Sequence, residues 1–154
     1  MTSGFPPLES VVPHRAPMVL LDAIVEHADD QTTCVVSIRD DSPLREPDGS
    51  VPGWVGLEYM AQCIAAHAGL IDHAAGRTPA IGFLVGARRV TFHASGYPPG
   101  QVLHVSVRRL WGEGRLGAFA CAIRDSRTGA VLAEGTVSAY LPAWADDRER
   151  RGHP

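Results

Sequence analysis

From Val51 to Ile71 the chain is apolar on nearly every side, and only Glu58, Gln62 and His67 interrupt it with polar side chains. Pro52 can open a helix but not continue one, and Gly76 followed by Pro79 supplies a stop. The pattern therefore predicts one long helix that starts just after Pro52 and ends near Ala75. At about 1.5 Å per residue, roughly 20 residues make a rod of about 30 Å, the width of a small domain. A helix without a polar face has to be covered, since such a cylinder belongs in a core or a membrane. Elsewhere the pattern has the period of strands. Met18–Glu26 is rich in strand formers, and Thr32–Arg39 alternates, with Cys34, Val36 and Ile38 on one face. The break at Asp29-Asp30-Gln31 joins them as an antiparallel hairpin. After the helix come strand patterns over Ile81–Phe92, Val102–Leu110, Leu116–Ile123 and Val131–Leu141. Turns at Tyr97–Gly100, Trp111–Gly114 and Asp125–Gly129 separate them.

About six strands in short succession and one apolar helix imply an α+β fold, an antiparallel sheet curled around the helix. Sheet edges left free by such a wrap favour a symmetric dimer. The proline-rich residues 1–17 read as an extended lead-in, 18–142 as a single domain, and the charged residues 143–154 as a frayed tail.

Composition changes this picture little. The 154 residues suit one domain, and 45% hydrophobic against 20% charged residues is enough for a real core. A net charge of −3 gives no electrostatic case for nucleic acid. Cys34, Cys63 and Cys121 lack metal-ligand or redox spacing, and two of them fall in apolar runs, as small core residues do in a reducing cytoplasm. Residues 1–10 carry no basic, apolar leader, and the polar residues inside the long helix argue against a membrane span. The expected location is the cytoplasm.

Two features could carry chemistry. The junction Pro52-Gly53-Trp54 precedes helical N–H groups that can hold a carbonyl oxygen turning negative, although many ordinary helices start this way. Glu58 lies five residues beyond Gly53, and Gln62 follows at i+4, where its side chain can orient the carboxylate. Burial among Leu57, Tyr59, Met60 and Ala61 would raise the pKa of Glu58, as suits a general acid or base. A structural carboxylate is an equally good reading. Trp54 and Tyr59 could line a substrate tunnel or fill the core. His67 lies about 180° around the helix from Glu58, and His14, His93 and His104 have no mutual spacing, so each reads as a surface or structural histidine. No metal-ligand cluster or Ser-His-Asp order emerges.

The residues Pro52, Gly53, Glu58, Met60, Ala61 and Gln62 form a Pro-Gly-x-x-x-x-Glu-x-Met-Ala-Gln run. It resembles the helix motif of hot-dog-fold 3-hydroxyacyl-(acyl carrier protein) dehydratases. Pro13-His14-Arg15-Ala16-Pro17-Met18-Val19-Leu20-Leu21-Asp22 resembles that family's opening segment. Pro99-Gly100-Gln101-Val102-Leu103 and Ala133-Glu134-Gly135 resemble its later turn and final strand, in family order. Trp54 to Gln62, reading WVGLEYMAQ, is nearest to a divergent branch found with aryl-polyene lipid biosynthesis. The resemblance implies a helix wrapped in an antiparallel sheet, a dimer with sites at its interface, and acyl thioesters carried on the phosphopantetheine arm of an acyl carrier protein. It gives Glu58 the role of catalytic carboxylate and Gly53 that of backbone donor to the thioester carbonyl. Pro52, Trp54 and Gln62 accompany them as substrate-binding positions, and no metal or further cofactor is implied.

The sequence departs from the family at one position. The family histidine stands nine residues before the helix glycine, and here that position is Leu44, with no histidine between His27 and His67. Three readings follow. The first is a dehydratase subunit beside a histidine-bearing paralogue, as a heterodimer if not a homodimer. The others are a non-catalytic acyl-binding or stabilising partner, and an acyl thioesterase that needs only Glu58 and Gly53.

Overall fold

The computed structural model describes residues 4–76, 83–113 and 116–140. The expected tail at 143–154 lies outside them, as do the junction at Pro79 and the start of the strand at Ile81.

The long helix forms, but it begins later than its sequence suggests. Val51–Pro52 is a two-residue strand (β3), Gly53–Val55 a single turn of 3-10 helix, and the α-helix proper (α1) runs Gly56–Ala74. Pro52 sits outside because its φ of −57° with ψ of 144° is extended. Gly76 ends the helix at a φ of +73°, where a Cβ would be strained.

The sheet has six strands: β1 (Ala23–His27), β2 (Gln31–Ser37), β4 (Phe83–Phe92), β6 (Val102–Glu113), β7 (Leu116–Asp125) and β8 (Val131–Tyr140). Their order is β1-β2-β6-β7-β8-β4, and every neighbouring pair is antiparallel. A short β5 (Gly96–Tyr97) pairs with β3 and fixes the start of the helix. On β2, buried Thr32, Cys34 and Val36 alternate with more exposed neighbours, as the period predicts. Helix α1 packs on β6, β2, β7 and β8, with Met60, Cys63 and Ile64 against Leu103, Val105, Phe119 and Ile123 in one core. Full burial of a side chain such as Ile64 contributes about 2 kcal/mol.

Two expectations need correction. Met18–Leu21 is not strand, although its residues have strand propensity, because its backbone bonds to a side chain of α1 instead of to a ladder. Nor are residues 1–17 merely a lead-in. Leu8, Val11 and Val12 are buried, and a Cβ at Gly69 would collide with the Val11 carbonyl. The glycine in mid-helix is what admits this segment. The cysteine reading extends to all three: Cys34, Cys63 and Cys121 are free and buried, and Cys63 Sγ lies 3.6 Å from Cys34 Sγ. No helix among the described residues is long and apolar enough to cross a membrane.

The wrap is incomplete along one stripe. At 100° per residue, Trp54, Leu57, Glu58, Ala61 and Ala65 fall within about 100° of arc, and none of the five is fully buried. The other faces of α1 carry Tyr59, Met60, Gln62, Cys63, Ile64, Ala66 and His67, all buried.

Candidate active site

Glu58 stands on the uncovered stripe. Its side chain is 40% exposed, so the burial expected for it is absent: it falls on the stripe of α1 that the described residues cover only in part. The orienting role expected of Gln62 is present. Gln62 Nε2 donates to Glu58 Oε1 at 3.2 Å. The same amide also holds a second segment, for Nε2 donates to the Met18 carbonyl at 2.8 Å and Oε1 accepts the Leu20 N–H at 2.9 Å. Gln62 itself is 1% exposed. It is therefore a bracket between helix and opening segment, not a group that faces a substrate.

The bracket explains why the opening motif and the helix motif belong together. Pro13 and Pro17 limit the segment's freedom, the Arg15 carbonyl accepts the Met18 N–H at 2.9 Å, and the Arg15 guanidinium folds back onto the Pro13 and His14 carbonyls. Asp22 Oδ2 accepts the Ser37 N–H at 2.7 Å and secures the far end. The segment thus brings His14 Nε2 to 3.7 Å from Glu58 Oε1. Helical spacing could not reveal His14, since it lies on another segment. The signal available in the sequence was the pairing of the two motifs.

The helix start is arranged otherwise than expected. Gly53 N–H donates to the Ser95 carbonyl at 2.8 Å, so the amide assigned to the thioester carbonyl is already engaged. A Cβ at Gly53 would lie 2.5 Å from the Ala94 carbonyl oxygen, so the glycine here serves the close pass of another backbone. Tyr97 Oη donates to the Gly53 carbonyl at 3.2 Å, and burial lifts its phenol to about 12. Pro52 ends β3 opposite Gly96. Trp54 is 64% exposed, whereas Tyr59 is buried against Tyr97, with ring centroids 6.1 Å apart. Burial raises the Tyr59 phenol further still. Leu44, nine residues before Gly53, has a φ of +67° and lies beside an open depression walled by Asp40, Arg45, Glu46, Pro47, Asp48 and Gly49. No residue of α1 lines that depression.

His67 belongs to a separate, sealed cluster. Thr32 Oγ1 lies 2.8 Å from both His67 Nδ1 and His27 Nδ1. Burial holds His67 down to about 4. His93 pairs with Glu134 at 3.7 Å on the surface. Among the described residues no group of three or more His, Cys, Asp or Glu side chains is placed to hold a metal ion.

A sequence model of the ApeP-like family, described as ApeP dehydratase, matches residues 6–150. Among solved structures, the dehydratase heterocomplex ApeI:P from Xenorhabdus doucetiae matches with a TM-score of 0.85 and 31% identity, covering 90% of this chain and 92% of that one. AziG from S. sahachiroi matches with a TM-score of 0.58 and 19% identity, covering 77% and 88%. Thioesterase superfamily member 2 from Mus musculus gives 0.57 and 15%, covering 77% and 80%. The last two show the fold alone. No curated protein sequence matches.

Proposed function

Because the chain belongs to the ApeP-like dehydratase family, the aryl-polyene branch of the hot-dog dehydratases, we propose that it works as one subunit of a two-chain 3-hydroxyacyl-thioester dehydratase. Its substrate is an acyl chain on the phosphopantetheine arm of an acyl carrier protein, in fatty-acid-like or aryl-polyene biosynthesis. The observation that carries this reading is Glu58: a partly exposed carboxylate, held by the buried Gln62, on a stripe of α1 that the described residues cover only in part.

Dehydration breaks the C2–H and C3–O bonds, forms the C2=C3 double bond and releases water. One group must take the C2 proton and another must protonate the departing 3-hydroxyl. Glu58 supplies one of them. Leu44 cannot supply the other, so a histidine-bearing hot-dog paralogue does. That paralogue docks along Trp54, Leu57, Ala61 and Ala65 and so encloses Glu58. The known complex of this family, ApeI:P, is itself a heterocomplex, which supports such a partner. A hydrolytic role is less favoured, because the family match and its heterocomplex structure are those of a dehydratase.

The test mixes the purified chain, alone and with the paralogue, with a 3-hydroxyacyl carrier protein. The mixture is expected to form enoyl product faster than the paralogue alone, and Glu58→Gln to slow it about 10²- to 10⁴-fold. A mixture no faster than the paralogue, or one indifferent to Glu58→Gln, refutes catalysis and leaves a stabilising subunit. Release of free thiol without enoyl product would select the thioesterase.

A further inference from the structure

We propose that His14 is the positioning residue for Glu58, the group that fixes which carboxylate oxygen meets the substrate. The proposal rests on the catalytic reading of Glu58 given above and adds a residue that the helix motif does not contain.

Three observations converge on His14. Its Nε2 is 3.7 Å from Glu58 Oε1, an ion-pair distance slightly longer than a hydrogen bond, and catalytic contacts are often long before substrate or partner binds. Its Nδ1 is buried and has no hydrogen-bond partner. A buried N–H without an acceptor is the costlier state, so the neutral ring keeps its proton on Nε2, aimed at the carboxylate. Finally, the segment that carries His14 cannot drift, since Gln62 grips it at Met18 and Leu20 while Arg15 folds back onto Pro13 and His14.

Gln62 Nε2 approaches the same oxygen, Oε1, at 3.2 Å. Both donors thus converge on Oε1, and Oε2 is the oxygen presented to a substrate. His14 does not replace the family histidine as a proton carrier. With Nδ1 buried and Nε2 turned to Glu58, a substrate proton meets the carboxylate and not the imidazole. The opening segment and the helix motif then form one device: the helix provides the carboxylate, and the segment sets its orientation.

Two substitutions separate positioning from proton transfer. His14→Leu removes the donor, whereas His14→Gln keeps an N–H at about the reach of Nε2. In the complex with the paralogue, His14→Leu is expected to lower kcat about tenfold or more with KM nearly unchanged, and His14→Gln to recover most of the loss. Wild-type kcat in His14→Leu overturns the proposal. So does a His14→Gln variant no better than His14→Leu, since that would make the imidazole itself a proton carrier.

A second readout needs no activity. The ¹³C resonance of the Glu58 side-chain carboxyl, recorded at one pH, should move in His14→Leu and return toward the wild-type position in His14→Gln. An unmoved resonance overturns the proposal whether or not the complex turns over. If the wild-type complex forms no enoyl product while the resonance responds as expected, the dehydratase reading fails and the positioning contact stands.

Discussion

Two histidines mark opposite sides of α1, one approaching it from another segment and one carried by it, and their surroundings differ in every respect that matters. His14 reaches the N-terminal half of α1 from outside, is 30% exposed, and meets a carboxylate that itself faces solvent. His67 projects from the C-terminal half into the core, fully buried, its ring at 75° to that of Phe119 with centroids 6.0 Å apart. Its polar partner is Thr32, whose single hydroxyl also serves His27. One hydroxyl proton cannot satisfy two imidazoles as donor, so one ring must donate to Thr32 and the other accept from it. His67 Nε2 has no partner, which favours Nδ1–H on His67 donating to Thr32 and the Thr32 hydroxyl donating to His27. That chain of bonds lies in the core, and the spare His67 Nε2 is buried with it. The Glu58 cluster keeps one carboxylate oxygen in reserve. A polar group on a buried helix is a candidate for chemistry when its spare capacity points outward, and a structural element when it does not.

The sharpest way to break this contrast is acid. Burial lowers His67 from 6.5 to about 4, with His27 and Arg109 acting in the same direction and Asp30 against them. His27 is also held down by burial, against the pull of Asp29. Between pH 4 and 6.5 the unfolded chain binds the His67 proton more readily than the folded one. The stabilisation from a neutral His67 is therefore complete above pH 6.5 and is lost as pH falls toward 4, a span worth about 3 kcal/mol. Urea titrations of wild type and His67→Leu across that range should show the wild type losing stability faster by this order. Parallel curves would mean that His67 is not sealed.

Gln62→Leu attacks the other side of the comparison. It strips the buried Leu20 N–H of its acceptor and frees Glu58, so thermal unfolding should report a loss of about 2 kcal/mol. Activity should fall further than stability alone explains. An active, stable Gln62→Leu variant would reduce the bracket to a bystander. The smallest effect on the isolated chain belongs to Trp54→Ala. An indole 64% exposed should change stability by less than about 0.5 kcal/mol, whereas affinity for the paralogue should drop about tenfold or more. Unchanged affinity, measured by titration calorimetry, would remove the bare stripe as the docking face.

The helix and the strands were legible because their periods are long and clean. Cys34, Val36 and Ile38 alternate, and the run after Gly56 has no competing pattern. Met18–Leu21 misleads because its strand propensity is real while its hydrogen bonds go to a glutamine more than 40 residues away. The motif identified Glu58 as the residue of interest but gave its environment wrongly, since exposure depends on which face the sheet leaves bare. The surroundings of Gly53 were hidden for a related reason. A glycine at a helix start fits both a ligand and a neighbouring backbone, and only the fold shows that Ser95 is there. His14 needed the two motifs to be seen as a single unit.

The contact between Gly69 and Val11 has a mechanical consequence. Glu58 and Gly69 are separated by 11 residues of helix, about 16 Å at 1.5 Å per residue. The strand of chain from Val11 to His14 spans at most about 11 Å. Residues 11–13 turn and bend, so the side chains of His14 and Glu58 close what remains of the gap. α1 therefore works as a ruler. A glycine deep in the helix, far from Glu58, fixes the point on α1 from which the chain sets out toward His14.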